Sequence, residues 1–140
     1  MRGSGGAVRN RAQQVLLTGS RSMADSNLVV REDSGVTIIG FGGSKLIDAE
    51  YIEQIAGDLY DLIDKHKANR LVLDFSSVKF LASRMLGVLL TVKKKSEAKK
   101  GGLALCAVRE DLMKVFAVTN LDRTFSFFAD QTTALAHFQG

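Results

Sequence analysis

The sequence predicts an α/β fold, in which a mixed β-sheet, made of an N-terminal hairpin and then parallel strands, packs against about four helices. Short β-branched apolar segments alternate with longer segments of helical periodicity from residue 28 to residue 138. Only a short polar turn separates the first two apolar segments, which favours an antiparallel hairpin. Helix-length segments separate the later ones, which favours parallel pairing through right-handed crossovers.

Five segments have the composition of β-strands. They are residues 28–30, 36–41, 70–74, 103–108 and 125–128. The polar turn between the first two contains Gly35, as expected for a hairpin. The last three are short and apolar, which is typical of buried parallel strands. Residues 75–82 are predicted to form a loop.

Four segments have helical periodicity, and they begin near residues 48, 83, 110 and 131. Asp48 precedes the first helix and is a candidate N-cap. The first half of the second helix is apolar nearly all round, so we expect that half to be buried. Gly101 and Gly102 are predicted to end this helix as a C-terminal glycine cap.

The net charge of +4 comes from the beginning of the chain. Residues 1–24 contain four arginines and no acidic residue, and the other 15 basic residues are balanced by 15 acidic ones. We therefore predict that residues 1–25 are a flexible leader, a cloning remnant or a start-site extension, with a transit peptide as the less favoured alternative. Residues 26–140 are predicted to form the domain. Because this body is neutral, no nucleic-acid partner is expected.

Composition restricts the function classes further. The single cysteine, Cys106, allows no internal disulfide, which favours a cytoplasmic location. No apolar run approaches the roughly 18 residues of a membrane span, so membrane insertion is not expected. Two histidines and one cysteine make a multi-ligand metal site unexpected, and no cofactor is predicted. The basic segment 93–100 is predicted to be a solvated helix face, with a patch for nucleic acid or anionic membranes as the alternative.

The segment from residue 71 to residue 90 resembles the STAS domain, the family of bacterial anti-sigma factor antagonists that is also found in anion transporters. In that family an apolar strand ends in Asp, here Asp74, and a motif of the form F-[ILM]-D-S-[ST]-G-L-G-V-L-L opens a helix. The positions that fit the motif are Phe80, Leu81, Ser83, Leu86, Gly87, Val88, Leu89 and Leu90. The family's L-D-A element resembles residues 46–49, and the order of elements matches over about four-fifths of the chain.

The resemblance implies a non-enzymatic binding switch in signal transduction and transcription regulation. In the best-known members, the serine at the start of this helix is phosphorylated by the anti-sigma factor, which is itself a serine kinase. The unmodified antagonist binds that partner, the phosphorylated form is released, and a phosphatase resets it. The matching position here is Ser83. The partner-binding residues implied in this chain are Asp48, Asp74, Ala82, Ser83, Arg84, Met85 and Leu86.

Physical chemistry is compatible with phosphorylation at Ser83. A phosphate adds about −1.5 to −2 charges, and the free N–H groups of a helix start can accommodate it. In an apolar interface the same charge must be desolvated, and each 1.4 kcal/mol lost is a tenfold loss of affinity. A purely structural role, as an N-cap worth about 1 kcal/mol, is also expected for Ser83. Asp74 is expected to accept hydrogen bonds from loop amides.

Three positions depart from the family motif. Ala82 replaces the Asp before the serine, Arg84 replaces the following Ser or Thr, and Met85 replaces the following Gly. These departures bear on the phosphorylation cycle more than on the fold. Ala82 and Arg84 favour the alternative function, a phosphorylation-independent STAS scaffold subunit of a transporter ATPase or a sensory complex.

An enzymatic function is not expected. A small hydrolase with Ser83 as its nucleophile lacks the G-x-S-x-G motif, and neither histidine is placed by the sequence to act as its base. No catalytic residue is therefore assigned. Cys106 lies in an apolar strand and is expected to be an inert core residue.

Overall fold

The computed structural model describes residues 20–23 and 27–139. The strands are β1 Ser20–Met23, β2 Leu28–Asp33, β3 Val36–Phe41, β4 Lys45–Leu46, β5 Arg70–Asp74, β6 Phe80–Leu81, β7 Gly102–Cys106 and β8 Ser126–Phe128. The helices are α1 Ala49–Asp64, α2 Ser83–Ala98, α3 Glu110–Val118 and α4 Gln131–Gln139, with a 3-10 turn at Leu121–Arg123.

Six strands form one mixed sheet in the order β1-β2-β3-β5-β7-β8. The pairs β1–β2 and β2–β3 are antiparallel, and the pairs β3–β5, β5–β7 and β7–β8 are parallel. Ser34 and Gly35 form the two-residue turn between β2 and β3, and both have positive φ, as hairpin turns of this length require. The predicted fold class is confirmed: a hairpin leads into parallel strands, and four helices pack against the sheet.

The sheet is buried on both faces. Leu71 and Leu73 of β5 belong to the larger core, beneath α1, α2 and α3. Val72 between them belongs to a smaller core on the opposite face, where Ala134 of α4 packs. Because side chains of a strand alternate between faces, the three central residues of β5, 71–73, are all apolar. Each face therefore has its own helical cover, three helices on one and α4 on the other.

The segment predicted as a loop, residues 75–82, contains a short strand. Here β6 pairs in parallel with β4 in a separate two-stranded sheet, so the loop prediction is wrong at Phe80 and Leu81. The backbone N–H of Ala82 extends this pairing by donating to the Leu46 carbonyl at 2.9 Å. Two residues are too few to show an alternating pattern, so the sequence carries no periodic signal for this strand.

The carboxyl end of α2 also differs from the prediction. The left-handed residue after the helix is Lys100, at φ 64°, and not a glycine. The N–H groups of Lys100 and Gly101 donate to the carbonyls of Glu97 and Ser96, both at 2.9 Å, as in a Schellman motif. Gly101 is required for another reason. A Cβ at this position would lie 1.7 Å from the Asn69 carbonyl oxygen, so only a bare backbone fits.

Part of the predicted leader forms a strand. β1 pairs with β2 from Ser20 opposite Arg31 to Met23 opposite Leu28, and it lies within the range 1–25. Residues 1–19, 24–26 and 140 lie outside the described residues, so the assignment of the remaining leader stays a prediction. Within the described ranges, every helix is too short or too polar to span a bilayer.

Candidate functional site

The small sheet of β4 and β6 holds the amino ends of α1 and α2 next to each other. β4 leads through Ile47 and Asp48 into α1, and β6 leads through Ala82 into α2. The pairing of Leu46 with Leu81 holds the two segments that lead into the helices side by side. Asp48 caps α1 as predicted, because its carboxylate accepts the Tyr51 N–H at 2.9 Å. Asp48 and the start of α2 therefore lie at the same edge of the fold.

Ser83 is the first residue of α2, and its side chain is exposed. The prediction that Ser83 is the N-cap is wrong, because Ala82 occupies that position with extended φ and ψ of −79° and 151°. Ala82 remains extended because its N–H is bound to the Leu46 carbonyl, so the helix starts one residue later. Ala82 has no side-chain group to cap the helix. Among the described residues, the Ser83 hydroxyl makes no hydrogen bond.

Ser83 lies at a largely apolar groove between the start of α2 and the carboxyl end of α3. The groove has a volume of about 330 Å³. The residues that line it are Leu81, Ser83, Leu86, Lys114, Val115, Val118 and Thr119. Val118 is 83% exposed, which is unusual for a β-branched apolar residue on a packed helix. A hydroxyl beside an open apolar groove gives a polar target for modification within a surface suited to protein contact.

Two further apolar side chains are exposed on the elements that lead to the site. Phe80 of β6 is 53% exposed, and Ile47 between β4 and α1 is 52% exposed. The Lys45 ammonium lies 5.9 Å from the centre of the Phe80 ring, within the range of a cation–π contact. The exposed apolar surface of the groove therefore continues onto the small sheet of β4 and β6.

Arg84 is directed to α1 rather than left free. Its guanidinium forms an ion pair and hydrogen bond with the Glu53 carboxylate. Both side chains are more than half exposed, so the pair contributes little to stability. Its consequence is positional, since it links α1 to α2 one residue after Ser83.

Met85 and Leu86 are both core residues. Met85 is fully buried, and Leu86 is 4% exposed and contributes only an edge to the groove. Among the residues suggested as partner contacts, these two are covered by the protein itself. The exposed members at this edge are Asp48, Ser83 and Arg84.

Asp74 lies on the other face of the sheet, away from Ser83. Its carboxylate accepts the Ser76 N–H at 2.8 Å, which confirms the predicted bond to a loop amide. It also accepts the Gln131 side-chain amide at 2.5 Å, at the start of α4. The alternation along β5 explains this position, because Asp74 follows Val72 on the face that α4 covers. The structure therefore does not bring Asp74 together with Ser83.

Cys106 is opposite Asp74 in the sheet and is fully buried, as predicted for a core residue. Burial is the main reason that the pKa of its thiol is raised to about 12, and the carboxylates of Asp74 and Asp130 add to the shift. A thiol with so high a pKa is not a nucleophile near neutral pH. In the part of the chain that the structure describes, no three His, Cys, Asp or Glu residues are grouped to hold a metal ion.

The sequence did not indicate the α3 side of the groove. Val115 is half-buried, and Lys114 carried no recognisable signal. One sign was available: Val118 lies outside the apolar stripe that Leu112 and Phe116 define. Val118 borders Ser83 because of the angle at which α3 packs on the domain. The hydrophobic periodicity of the sequence does not predict that angle.

The family model for the STAS domain matches residues 27–134. Among curated proteins, a Thermotoga neapolitana relative named as a homolog of the anti-sigma factor antagonist TM1081 is 32% identical over 72 residues, which is 51% of this chain. The match spans 64% of that relative's length. The family match includes the segment around Ser83.

Solved structures are similar over most of the chain. TM1081 from Thermotoga maritima, described as an anti-sigma factor antagonist, superposes with a TM-score of 0.74 at 21% identity, over 84% of this chain and 100% of that one. The Bacillus cell fate determinant SpoIIAA in its phosphorylated form gives a TM-score of 0.62 at 20% identity, over 79% of this chain and 97% of that one. At these identities the similarity establishes the fold.

Proposed function

The chain belongs to the STAS domain family, and on that basis we propose that it is an anti-sigma factor antagonist whose binding is switched by phosphorylation of Ser83. In the unmodified state it engages a kinase-type anti-sigma factor through the groove and the edge that carries Asp48. Phosphorylation by that kinase releases it, and a phosphatase restores it. The observation that carries this proposal is the exposed, unbonded Ser83 hydroxyl beside an open apolar groove.

The position of Ser83 supports a modification that leaves the fold intact. The hydroxyl is outside the core, so a phosphate adds no atoms to packed space. As the first helical residue, Ser83 lies next to N–H groups without intrahelical partners and at the positive end of the helix dipole. A dianion there is favourable for the isolated domain. The modification therefore acts on binding rather than on stability.

The groove supports the release step. A partner that covers Leu81 and Val118 would remove water from the Ser83 side chain, which borders the same groove. An uncharged hydroxyl tolerates this at a modest cost, whereas burying a charged group costs far more unless it is paired. We expect the phosphorylated form to bind at least about a hundredfold more weakly, which corresponds to about 2.8 kcal/mol.

Lys114 provides a second contribution to the switch. Its side chain lines the groove with Ser83 and forms no ion pair among the described residues. In the unmodified protein this ammonium is available to an acidic group of the partner. A phosphate on Ser83 competes for the same ammonium from within the protein. Phosphorylation then removes an attractive contact as well as adding a charge.

The proposal is tested with the full chain, ATP and a kinase-type anti-sigma factor from the same genome. Mass spectrometry is expected to find a single phosphate on Ser83, absent from Ser83→Ala. Titration calorimetry is expected to show that Ser83→Ala keeps binding and that Ser83→Asp loses it. Thr132→Asp is the matched control, because Thr132 is an exposed hydroxyl residue in the first turn of α4, on the opposite face. Equal binding by both Asp variants, without phosphate on Ser83, would contradict the switch.

A phosphorylation-independent scaffold is the second candidate function. The observation that favours it is Arg84, which is engaged by Glu53 and not available at the modification site. A scaffold predicts that Ser83 is not phosphorylated and that a transporter ATPase subunit, rather than an anti-sigma factor, co-purifies with the chain. The same mass spectrometry and the identity of the co-purifying protein separate the two functions.

A further inference from the structure

A second cavity opens at the opposite end of the sheet from Ser83. It has a volume of about 340 Å³ and lies where β5, β7 and β8 begin. α2 runs from one end to the other, and its 16 residues span about 24 Å. Three strand residues, Arg70, Gly102 and Ser126, share the sheet face that α4 covers, and the strand pairing places them near one another.

The lining of this cavity is strongly cationic. It contains Arg70, Lys93 and Lys100 against the single carboxylate of Glu97, a net charge of +2 with His137 neutral. Lys93 and Glu97 neutralise each other in an ion pair at 2.8 Å. Neither Arg70 nor Lys100 forms an ion pair with any of the residues that the structure describes.

Two other lysines near this end of the molecule form ion pairs. Lys65 there pairs with Asp61 at 3.7 Å, and Lys95 pairs with Asp64 at 2.9 Å. A cation at the carboxyl end of a helix complements the dipole, which accounts for Lys100 after α2. It does not account for Arg70, which is the first residue of a strand. Arg70 and Lys100, from different elements, therefore line one cavity, and its single carboxylate, that of Glu97, is already paired with Lys93.

The other groups in the cavity suit a small oxyanion. The Ser126 hydroxyl and the His137 ring can donate hydrogen bonds. Gly101 and Gly102 contribute backbone without side chains, and a Cβ on Gly102 would lie 3.5 Å from the Phe138 ring. The glycine at residue 102 therefore leaves room beside the Phe138 ring that a side chain would fill. A volume of this size is at the lower end of small-ligand pockets, which begin near about 300 Å³.

We propose that this cavity, termed the Arg70 pocket, binds a compact, multiply charged phosphate group. The planar guanidinium of Arg70 can hold two phosphate oxygens at once, and the Lys100 ammonium adds a second charge. A phosphate group carries about −1.5 to −2 charges near neutral pH, which is close to the charge of the two unpaired cations. Such a group occurs in free solutes and, as phosphate, in lipid headgroups. The proposal is independent of the function proposed for Ser83, because the two sites lie at opposite ends of the sheet.

The test titrates the full chain with inorganic pyrophosphate and follows backbone amide shifts by NMR. We expect saturable binding, with the largest shifts at residues that line the Arg70 pocket. Arg70→Gln/Lys100→Gln is expected to weaken binding at least about tenfold. The matched control, Lys94→Gln/Lys99→Gln, removes the same charge from exposed positions outside the pocket and is expected to bind as the unmodified sequence does. Circular dichroism checks that both variants are folded.

Equal weakening in the two double variants would overturn the proposal, because it would indicate general charge attraction. Absence of saturable binding would overturn it as well. Vesicles of phosphatidylcholine with and without phosphatidic acid identify the source of the phosphate. Sedimentation with the acidic vesicles that requires Arg70 and Lys100 supports a lipid headgroup. Pyrophosphate binding without such sedimentation supports a free solute.

Discussion

Val118 and Phe116 lie two positions apart on α3 and have opposite surroundings. Phe116 is fully buried, with its ring edge-on to Phe125 and Phe127 at centroid distances of 6.0 and 5.1 Å. Val118 projects beside the Ser83 groove and is mostly exposed. One turn of helix thus supplies both an anchor of the core and part of the proposed docking surface, so the two functions of α3 can be separated by mutation.

The substitution Val118→Lys separates the docking role of α3 from its role in the core. We expect the free energy of unfolding to change by no more than about 0.5 kcal/mol, as at other exposed positions. Affinity for the anti-sigma factor is expected to fall about tenfold or more, because the partner would have to bury an ammonium in the apolar groove where Val118 offers an apolar side chain. Phe116→Ala is the contrast, with an expected loss of about 3–5 kcal/mol. Urea denaturation and titration calorimetry check the two effects, and unchanged partner binding by Val118→Lys would exclude the groove as a docking surface.

At the scale of elements, glycines show where backbone proximity is essential. Gly101 follows the Lys100 cap of α2 and lies against the backbone of Asn69, which precedes β5. Its N–H also donates to Ser96 within the cap. Gly57, in contrast, lies within α1 with open space where a Cβ would be. The same substitution is therefore expected to have opposite signs at the two positions.

Gly101→Ala is expected to destabilise the fold by about 1–3 kcal/mol, because the new methyl group must displace a backbone carbonyl. Gly57→Ala is expected to stabilise it by about 0.5–1 kcal/mol, since alanine reduces the freedom of the unfolded chain and favours the helix. Chemical denaturation of both variants measures the difference. A neutral Gly101→Ala would show that the contact between the α2 cap and Asn69 relaxes without cost.

The element order could be predicted because each long element carries its own period. α1 buries Ile52, Ile55 and Leu59 at helical spacing, and this pattern is visible in the sequence. The β4–β6 pairing could not be predicted in this way, since it joins two dipeptides about 35 residues apart. Likewise, Ser83 was identified through a family motif, whereas its place after the N-cap depends on the Ala82 hydrogen bond to Leu46.

At the scale of the whole molecule, neither the alternation of side chains along a strand nor the net charge of the chain predicts where a charged residue lies in the fold. The alternation of side chains along β5 places Asp74 and Leu73 on different faces of the sheet. Because β5 has buried apolar residues on both faces, the sequence does not predict which face α2 covers. The balanced charge of the body concealed the Arg70 pocket for a similar reason. Arg70 and Lys100 are neighbours only because β5 pairs Arg70 with Gly102. The fold brings basic residues together locally, although the net charge of the body is zero.

The buried thiol of Cys106 couples the stability of the whole domain to alkaline pH. Its pKa is raised from an ordinary 9.0 to about 12 by burial and by the carboxylates of Asp74 and Asp130. Because the folded pKa lies above the unfolded one, the neutral thiol's contribution is fully present below pH 9.0 and is lost as the pH rises towards 12. Over this range the unfolded thiol releases its proton first, which lowers the free energy of unfolding by up to about 1.4 kcal/mol per pH unit.

Urea denaturation between pH 8 and pH 11, about one unit below to two units above the ordinary thiol pKa, measures this slope. Cys106→Ala is the control, because it keeps the lysines and tyrosines that also titrate in this range. We expect its stability to be lower at pH 8, from the smaller side chain, and to decline less steeply with pH. An equal decline of the free energy of unfolding with pH in the two proteins would mean that the thiol ionises in the folded state as it does in the unfolded chain. The burial of Cys106 between the sheet and α4 argues against that result.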